Sequence, residues 1–456
     1  LPKAKLGRKI WVNLILFGFT GQVAWAIENI YFNTFLFNYI GATTADISKM
    51  VAFSAATAVA TTFLMGTLSD KLGRRKVFIC AGYILWGVTV MAFAFISREN
   101  TAELLRITDT AKVAAATVSI VIIMDCVMTF MGSTSNDAAF NAWVTDVTVP
   151  QNRGTAEGIL STMPILATLM VTAGFGAGVA AAGYPACFLA LGVLVTLCGF
   201  AGLLTLKESG NKIKKQGNYF AELVYGFRPS VVRDNRRLYL ALASVCIFST
   251  AVQIFMPYVF LYIQHYLGLD INHLAVTPKT AAIAALALAG FIGGAVGMGI
   301  AVDRLGKKKF VFPAVAVFVA GLFIATFVKK LSVFGLVALV IIAGYGLLMI
   351  ILNASVRDFT PEGKAGLFQG VRMIFFVLIP MVAGPFAGNR VIERFAGAHE
   401  AGTYINDFGE TVLVPVPEIF ASAAVLGVFI AVPLLMLRKR NKEAEKAARQ
   451  DPAQDI

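Results

Sequence analysis

Charge is what this chain is short of. Asp, Glu, Lys and Arg make up 14% of its 456 residues, where a water-soluble domain carries roughly a quarter. Histidine is nearly absent, with three in the whole chain, and cysteine is scarce, with five. Cys80, Cys126, Cys187, Cys198 and Cys246 all lie in apolar segments, and no two have metal-ligand spacing. An odd number placed this way argues against a disulfide framework and against a zinc site. A Walker loop, a nucleophile elbow and an HExxH pair are also missing, so no enzyme and no cofactor are expected. A cleavable leader is not expected either, because the first apolar run is far longer than a signal h-region and no small-residue cleavage site follows it.

What the chain has in abundance is apolar surface. Hydrophobic residues are 58% of the total, 36 of them Phe, and the mean hydropathy is +0.75. A membrane-crossing helix needs about 20 mostly apolar residues. Twelve runs meet that need: 10–39, 47–69, 77–97, 113–145, 155–181, 185–206, 237–267, 279–301, 310–328, 332–356, 366–389 and 418–437. The expected fold class is therefore an all-α integral membrane protein of twelve transmembrane helices. Residues 1–206 form the first six-helix bundle, 207–236 a cytoplasmic linker, 237–440 the second bundle and 441–456 a cytoplasmic tail.

The net charge of +13 is of the kind that attracts nucleic acid, but the basic residues sit in short turns between apolar runs. Lys71, Arg74, Arg75, Lys76, Arg153, Arg304 and Lys307 occupy alternate turns, and the intervening turns hold far fewer cations. By the positive-inside rule both termini face the cytoplasm. The expected surroundings are a plasma-membrane bilayer, with no nucleic-acid partner and a monomeric state. The long outer loop at 391–417 is placed over the outer mouth.

The two halves also repeat. The turn Gly66-Thr67-Leu68-Ser69-Asp70-Lys71-Leu72-Gly73-Arg74-Arg75-Lys76 has a weaker copy in Gly299-Ile300-Ala301-Val302-Asp303-Arg304-Leu305-Gly306-Lys307-Lys308-Lys309. Asn141-Ala142-Trp143-Val144-Thr145-Asp146 aligns with Asn353-Ala354-Ser355-Val356-Arg357-Asp358. Parallel halves related in this way are a sign of a transporter. The first turn closely resembles the helix 2–3 signature of the major facilitator superfamily, Gly-x-Leu-[Ser/Ala]-Asp-[Arg/Lys]-x-Gly-Arg-[Arg/Lys]. That resemblance implies two pseudo-symmetric six-helix bundles that rock about a central substrate in alternating access. Asp137-Ala138-Ala139-Phe140, followed by Asp146-Val147-Thr148, is similar to helix 4 of the glycoside–pentoside–hexuronide cation symporters, the melibiose carriers among them. This second resemblance implies a sugar-binding role for Asp137. Residues 51–65, where those carriers place cation-binding aspartates, contain no acid.

Acids in the apolar runs are the sharpest functional signal. A carboxylate near a helix centre costs about 2.5–3.5 kcal/mol on insertion scales, so one that persists faces a cavity or a partner. Glu28 on helix 1 and Asp125 and Asp137 on helix 4 are such acids, and the second half has none comparably deep. Glu28 and Asp125 are the candidates for cation coupling, by proton or sodium ion, since two adjacent buried acids do not both ionise easily. The competing reading is a lone acid hydrogen-bonded to Asn29, Gln22 or backbone.

For the substrate, polar groups interleaved with aromatics point to Gln22, Trp25 and Asn29 on helix 1 and to Asp137 and Asn141 on helix 4. Gln253 and Asn353 are the candidates from the second half. Carboxylate and amide groups beside aromatic faces suit sugar hydroxyls and ring stacking. Polar residues on membrane helices also serve as interhelical glue, and Asn141 and Asn353 fit a bracing role equally well. Asp70, Arg74, Asp146 and Arg153 are the candidate cytoplasmic gate, with simple topogenic charge as the alternative.

The function expected from these residues is secondary active transport, with cation symport of a small polar solute such as a sugar or glycoside. Two other readings stand beside it: a proton-driven exporter of an amphipathic compound or lysolipid, and a membrane sensor that keeps a transporter fold.

Overall fold

A computed structural model describes residues 6–148, 150–207, 225–269, 307–361 and 365–450. These fall into two compact units. One comprises the chain up to residue 207 together with Tyr404–Val412, and the other comprises the rest from residue 225 onward. The described residues are almost entirely helical, with a single two-stranded hairpin.

In the first unit the helices are α1 (Arg8–Ile27), α2 (Thr44–Leu72), α3 (Arg75–Ala92), α4 (Arg98–Leu105), α5 (Thr110–Gly132), α6 (Asn141–Val147), α7 (Pro150–Met170) and α8 (Gly176–Thr205). Local chemistry sets their ends. Thr43 and Asp46 form a reciprocal capping box at the start of α2, and Gly73, at φ 62°, ends it in the left-handed region. Asp109 caps α5 by accepting from the amides of Ala111 and Lys112. Gly183, at φ 78°, breaks α8 just ahead of Pro185, so one membrane-crossing helix ends there and the next begins.

Close approach of helices depends on small residues, since lipid tails supply no hydrophobic drive between helices. The backbone of α3 meets the later part of α8 through Gly87, Gly192 and Gly199, where any Cβ would strike a carbonyl or amide of the facing helix. Gly21 of α1 and Gly82 of α3 make the same kind of space for Asn136 and Ser135.

In the second unit the helices are α9 (Pro229–Asp234), α10 (Arg236–Phe255, continued in short turns to Tyr266), α11 (Lys307–Ala325), α12 (Leu331–Phe359), α13 (Ala365–Met373), α14 (Ile379–Phe395), α15 (Glu418–Val428) and α16 (Ala431–Gln450). The hairpin strands β1 (Thr403–Ile405) and β2 (Thr411–Leu413) lie between α14 and α15. Gly384 and Gly388 of α14 abut Gln253 and Ile254 of α10, and Gly344 of α12 abuts Phe318 of α11.

Nine helices among the described residues are long and apolar enough to cross a membrane, and Lys309–Ala325 is a shorter apolar helix. The expected span at 279–301 and the repeat turn at 299–306 lie outside the described residues, as does most of the expected linker at 207–236. The charged tail continues as helix to Gln450 instead of fraying early, in keeping with its Ala, Glu, Lys and Arg content.

Candidate functional site

Both helices that carry the deep acids depart from α geometry, at Glu28 on one and at Asp137 on the other, while Asp125 stays within the regular α5. After α1, Glu28–Phe32 and Phe35–Tyr39 are π-helical turns. Between α5 and α6, Ser133–Phe140 is a longer π segment that contains Asp137. A π turn widens the helix and re-aims side chains, and such bulges are frequent at functional sites.

The result is a polar nest inside the first unit. Glu28 Oε1 accepts from Ser54 Oγ of α2 at 3.0 Å and from Thr129 Oγ1 of α5 at 3.2 Å. The two hydroxyl oxygens are themselves 2.7 Å apart, and Ser54 also acts on Asp125. Asp125, Thr129 and Ser54 are buried, and the Asp125 and Asp137 charges bear on Glu28. Two hydroxyl protons thus serve three oxygen–oxygen contacts before Asp125 is counted. Glu28 Oε2 and Asp125 Oδ1, both buried, have no hydrogen-bond partner. An unmatched acceptor of this kind costs about 1–3 kcal/mol, more where the group is charged. The nest is short of positive charge.

One helical level away, Ser133 Oγ donates to Asp137 Oδ2 at 2.9 Å. Behind this pair Asn136 Nδ2 donates to Tyr83 Oη at 2.7 Å, and Tyr83 Oη donates to the Phe17 carbonyl at 2.6 Å. This buried chain braces the π segment against α3 and α1, and Gly21 leaves room for it while Gly82 leaves room for Ser135 beside it.

Gln22, Trp25 and Glu28 are partly exposed and Asn29 is exposed, while the intervening Val23, Ala24, Ala26 and Ile27 are buried. Asp137 is partly exposed and Asn141 exposed, flanked by buried Ala138, Ala139 and Phe140. The substrate candidates of the first unit therefore form open-facing stripes on their two helices. Three of the predicted amides are already committed to their own helices: Asn29 donates to Trp25 O, Asn141 to Asp137 O and Asn353 to Met349 O. Each keeps its Oδ1 for another donor. Gln253 and Asn353 are partly exposed within the second unit.

At the ends of α2 and α3, Arg75 Nε meets Asp146 Oδ2 at 3.2 Å, and Arg75 Nη1 donates to Ser69 Oγ at 2.5 Å. Both side chains of the ion pair are about nine-tenths buried. Arg74 is exposed, and the side chains of Asp70 and Arg153 lie outside the described ones. Arg75 is thus a partner of Asp146, and its place in the signature turn was its only sequence signal. Ser54 and Thr129 carried no signal at all, because hydroxyls on membrane helices commonly bond their own backbone.

A separate apolar groove of about 610 Å³ is lined by Phe53, Ile122, Ile123, Cys126, Val127 and Phe130, with Lys49 and Ser119 at its edge. No acid or amide lines it.

The model of the Major Facilitator Superfamily matches residues 14–385 and again 281–455. The chain belongs to the major facilitator superfamily. It is therefore a multi-pass membrane transporter and not an enzyme. Its fold is similar to a crystal structure of a bacterial homolog of the human lysosomal transporter Spinster, inward-facing and unoccupied. The TM-score is 0.66 and the identity 13%, over 95% of this chain and 98% of that chain. A crystal structure of the nucleoside transporter NupG is similar at TM-score 0.66 and 12% identity, over 94% of this chain and 98% of that chain. At these identities the likeness is one of fold alone. None of the curated proteins compared with the chain matches it.

Proposed function

We propose that this major facilitator is a monomeric secondary carrier of the plasma membrane that takes up a small, hydroxyl-rich solute, a sugar or glycoside first, in symport with a proton or sodium ion. Its plan is two six-helix bundles in alternating access, with twelve helices and both termini cytoplasmic. Glu28 and Asp125 hold the coupling cation, and Ser54 and Thr129 complete its oxygen shell. Asp137 receives solute hydroxyls, with Gln22, Trp25, Asn29 and Asn141 beside it in the first unit and Gln253 and Asn353 in the second. Asp146, with Arg75 as its partner, joins Asp70, Arg74 and Arg153 in the cytoplasmic gate.

The observation that carries this reading is the proton deficit of the nest: too few hydroxyl protons for its short contacts, and two buried carboxylate oxygens with no partner. One added cation removes that deficit. Moving one charge down 100 mV releases about 2.3 kcal/mol, enough for tens-fold accumulation. The helix 4 pattern around Asp137 supports a sugar. A nucleoside, the cargo class named for NupG, offers the same hydroxyls with an aromatic base and belongs in the same screen.

The test is uptake into proteoliposomes under an imposed proton or sodium gradient. Glu28→Gln is expected to abolish uphill accumulation and to preserve solute exchange. Accumulation by that variant equal to wild type would overturn cation coupling at this nest.

A further inference from the structure

The well-buried arginine side chains of the first unit are answered by acids. Arg75 meets Asp146 and Ser69, and Arg98 meets Glu410 with both tines of its fork, at 2.9 and 2.8 Å. Arg372 in the second unit has no such answer. It lies in the first turn of the candidate membrane span Gly370–Ala398, half-buried at the end of α13. Among the described residues it makes no ion pair and no side-chain hydrogen bond. Its Cζ stands 4.9 Å from the centroid of the Phe376 ring, one turn further along the same helix, and a ring face takes up none of the five guanidinium N–H donors. The charge that bears on Arg372 is a second cation, Arg357 in the last turn of α12. Asp358 follows Arg357 in the chain, but no described ion pair joins it to either arginine.

The frame behind Arg372 is firm and the space in front of it is open. Phe368, one turn earlier and buried, sets its ring edge-on against Tyr225 and Tyr239 with centroids 6.1 and 6.5 Å away, and the Tyr239 hydroxyl donates to the Gly226 carbonyl. These contacts hold the start of α13 against α10. Directly after Met373 the helix widens into the π turn Ile374–Leu378, in which no side chain is fully buried. Such turns re-aim side chains and are frequent at functional sites. On α12, Asn353 and Arg357 are four residues apart and share a face. Snorkelling to the membrane surface would explain Arg372 alone, but it gives no reason for a second cation whose charge opposes it. An ionisable group in a membrane span pairs with an opposite charge or marks a ligand path, and here the opposite charge is missing.

We propose that Arg372 and Arg357 form a phosphate-binding site within the second unit. A phosphate monoester carries about −1.5 to −2 charge at neutral pH and three acceptor oxygens, which balances two guanidinium groups and offers an edge to each fork. A carboxylate, with one charge and two oxygens, would leave the pair cationic. The phosphate is supplied either by a soluble ion or solute or by a phospholipid headgroup, and both present the same oxygens. The site lies in a different unit from the Glu28 nest and does not rest on the coupling reading.

The test measures binding and needs no transport. The full chain in a neutral maltoside detergent is titrated with inorganic phosphate and, at matched ionic strength, with acetate, by isothermal titration calorimetry. Phosphate is expected to bind, and Arg372→Gln and Arg357→Gln are each expected to weaken its affinity on the order of tenfold, the worth of a charged hydrogen bond. Arg372→Lys, which keeps the charge and loses the fork, should fall between wild type and these. Without phosphate, Arg372→Gln should melt no lower than wild type, because it removes an unpaired cation. A second arm repeats the titration in nanodiscs of phosphatidylcholine with and without phosphatidic acid. Loss of the phosphate signal when phosphatidic acid is present assigns the site to a lipid headgroup, and an unchanged signal assigns it to soluble phosphate. The site is overturned by phosphate affinity equal in wild type and both Gln variants, by no binding in either arm, or by acetate binding as tightly as phosphate. A melting temperature of Arg372→Gln well below wild type would show that the arginine already has a partner, and overturns it too. No gradient is applied, so each of these results leaves cation coupling at Glu28 standing.

Discussion

The two units bring their helices together by the same device and differ in what they bury. In each, glycines let facing backbones touch: Gly87, Gly192 and Gly199 between α3 and α8 in the first, Gly384, Gly388 and Gly344 in the second. The first also buries an acid, Asp125, beside Ser54 and Thr129, and carries the π segment braced by Asn136 and Tyr83, whereas among the described residues the second buries hydroxyls such as Ser244 and no acid. Among the described residues the second unit has no counterpart of Asp125. Its partly exposed Gln253 and Asn353 are neutral amides. Similar packing thus supports unequal chemistry, with a buried acid among the described residues of the first unit alone.

The contrast is broken most directly by exchanging charge for neutrality on each side. Glu28→Gln should remove concentrative uptake, by a factor on the order of tens, whereas Gln253→Ala should weaken apparent affinity and leave the accumulation ratio intact. Paired uptake and counterflow measurements decide this, and loss of accumulation in Gln253→Ala would erase the asymmetry.

A second, smaller effect separates substrate from cation. Asp137→Asn should raise KM by about tenfold, the worth of roughly 1.4 kcal/mol of lost charged hydrogen bonding, with the dependence on the driving ion unchanged. A shifted ion dependence at unchanged KM would move Asp137 into the coupling nest.

Packing provides the third comparison. Gly82→Ala forces a Cβ into Ser135 and should cost about 1–3 kcal/mol, the usual range for overpacking. Gly335→Ala in α12 meets nothing and should leave the melting temperature the same or slightly higher. Thermal unfolding in detergent compares the two.

The smallest expected effect is one of pH. Hydrogen bonds from Arg98 hold the Glu410 carboxyl below the ordinary carboxylate range. A depressed value means the Arg98–Glu410 pair adds stability at all pH above that range and loses it only as pH falls through the lowered value. Between pH 8 and 5.5 this ion pair should therefore contribute no change in the melting temperature, which thermal unfolding at the two pH values checks.

Much of the frame was legible in the sequence. Apolar runs such as 47–69 and 332–356 fall on α2 and α12, and the signature glycine Gly73 ends α2 as a left-handed residue should. Glu28, Asp125 and Asp137 were found as acids out of place. The hydroxyls around them were not, because Ser and Thr are ordinary in membrane helices and nothing in their spacing distinguishes Ser54 or Thr129. The π segments were not legible either. The segment at Ser133–Phe140 is held to its neighbour by the Asn136–Tyr83 bond, a contact that no local pattern announces.

By itself the sequence determined which segments are apolar enough to cross a bilayer, which turns stay in water, and which acids need an explanation. Bilayer thickness and the cost of burying charge act on each segment alone, so those answers are local. The tertiary structure decided which partners each group meets: Glu28 with Ser54 and Thr129, Arg75 with Asp146, and Arg98 with Glu410 more than three hundred residues away. Helical periodicity states which residues share a face, and only packing brings that face to another.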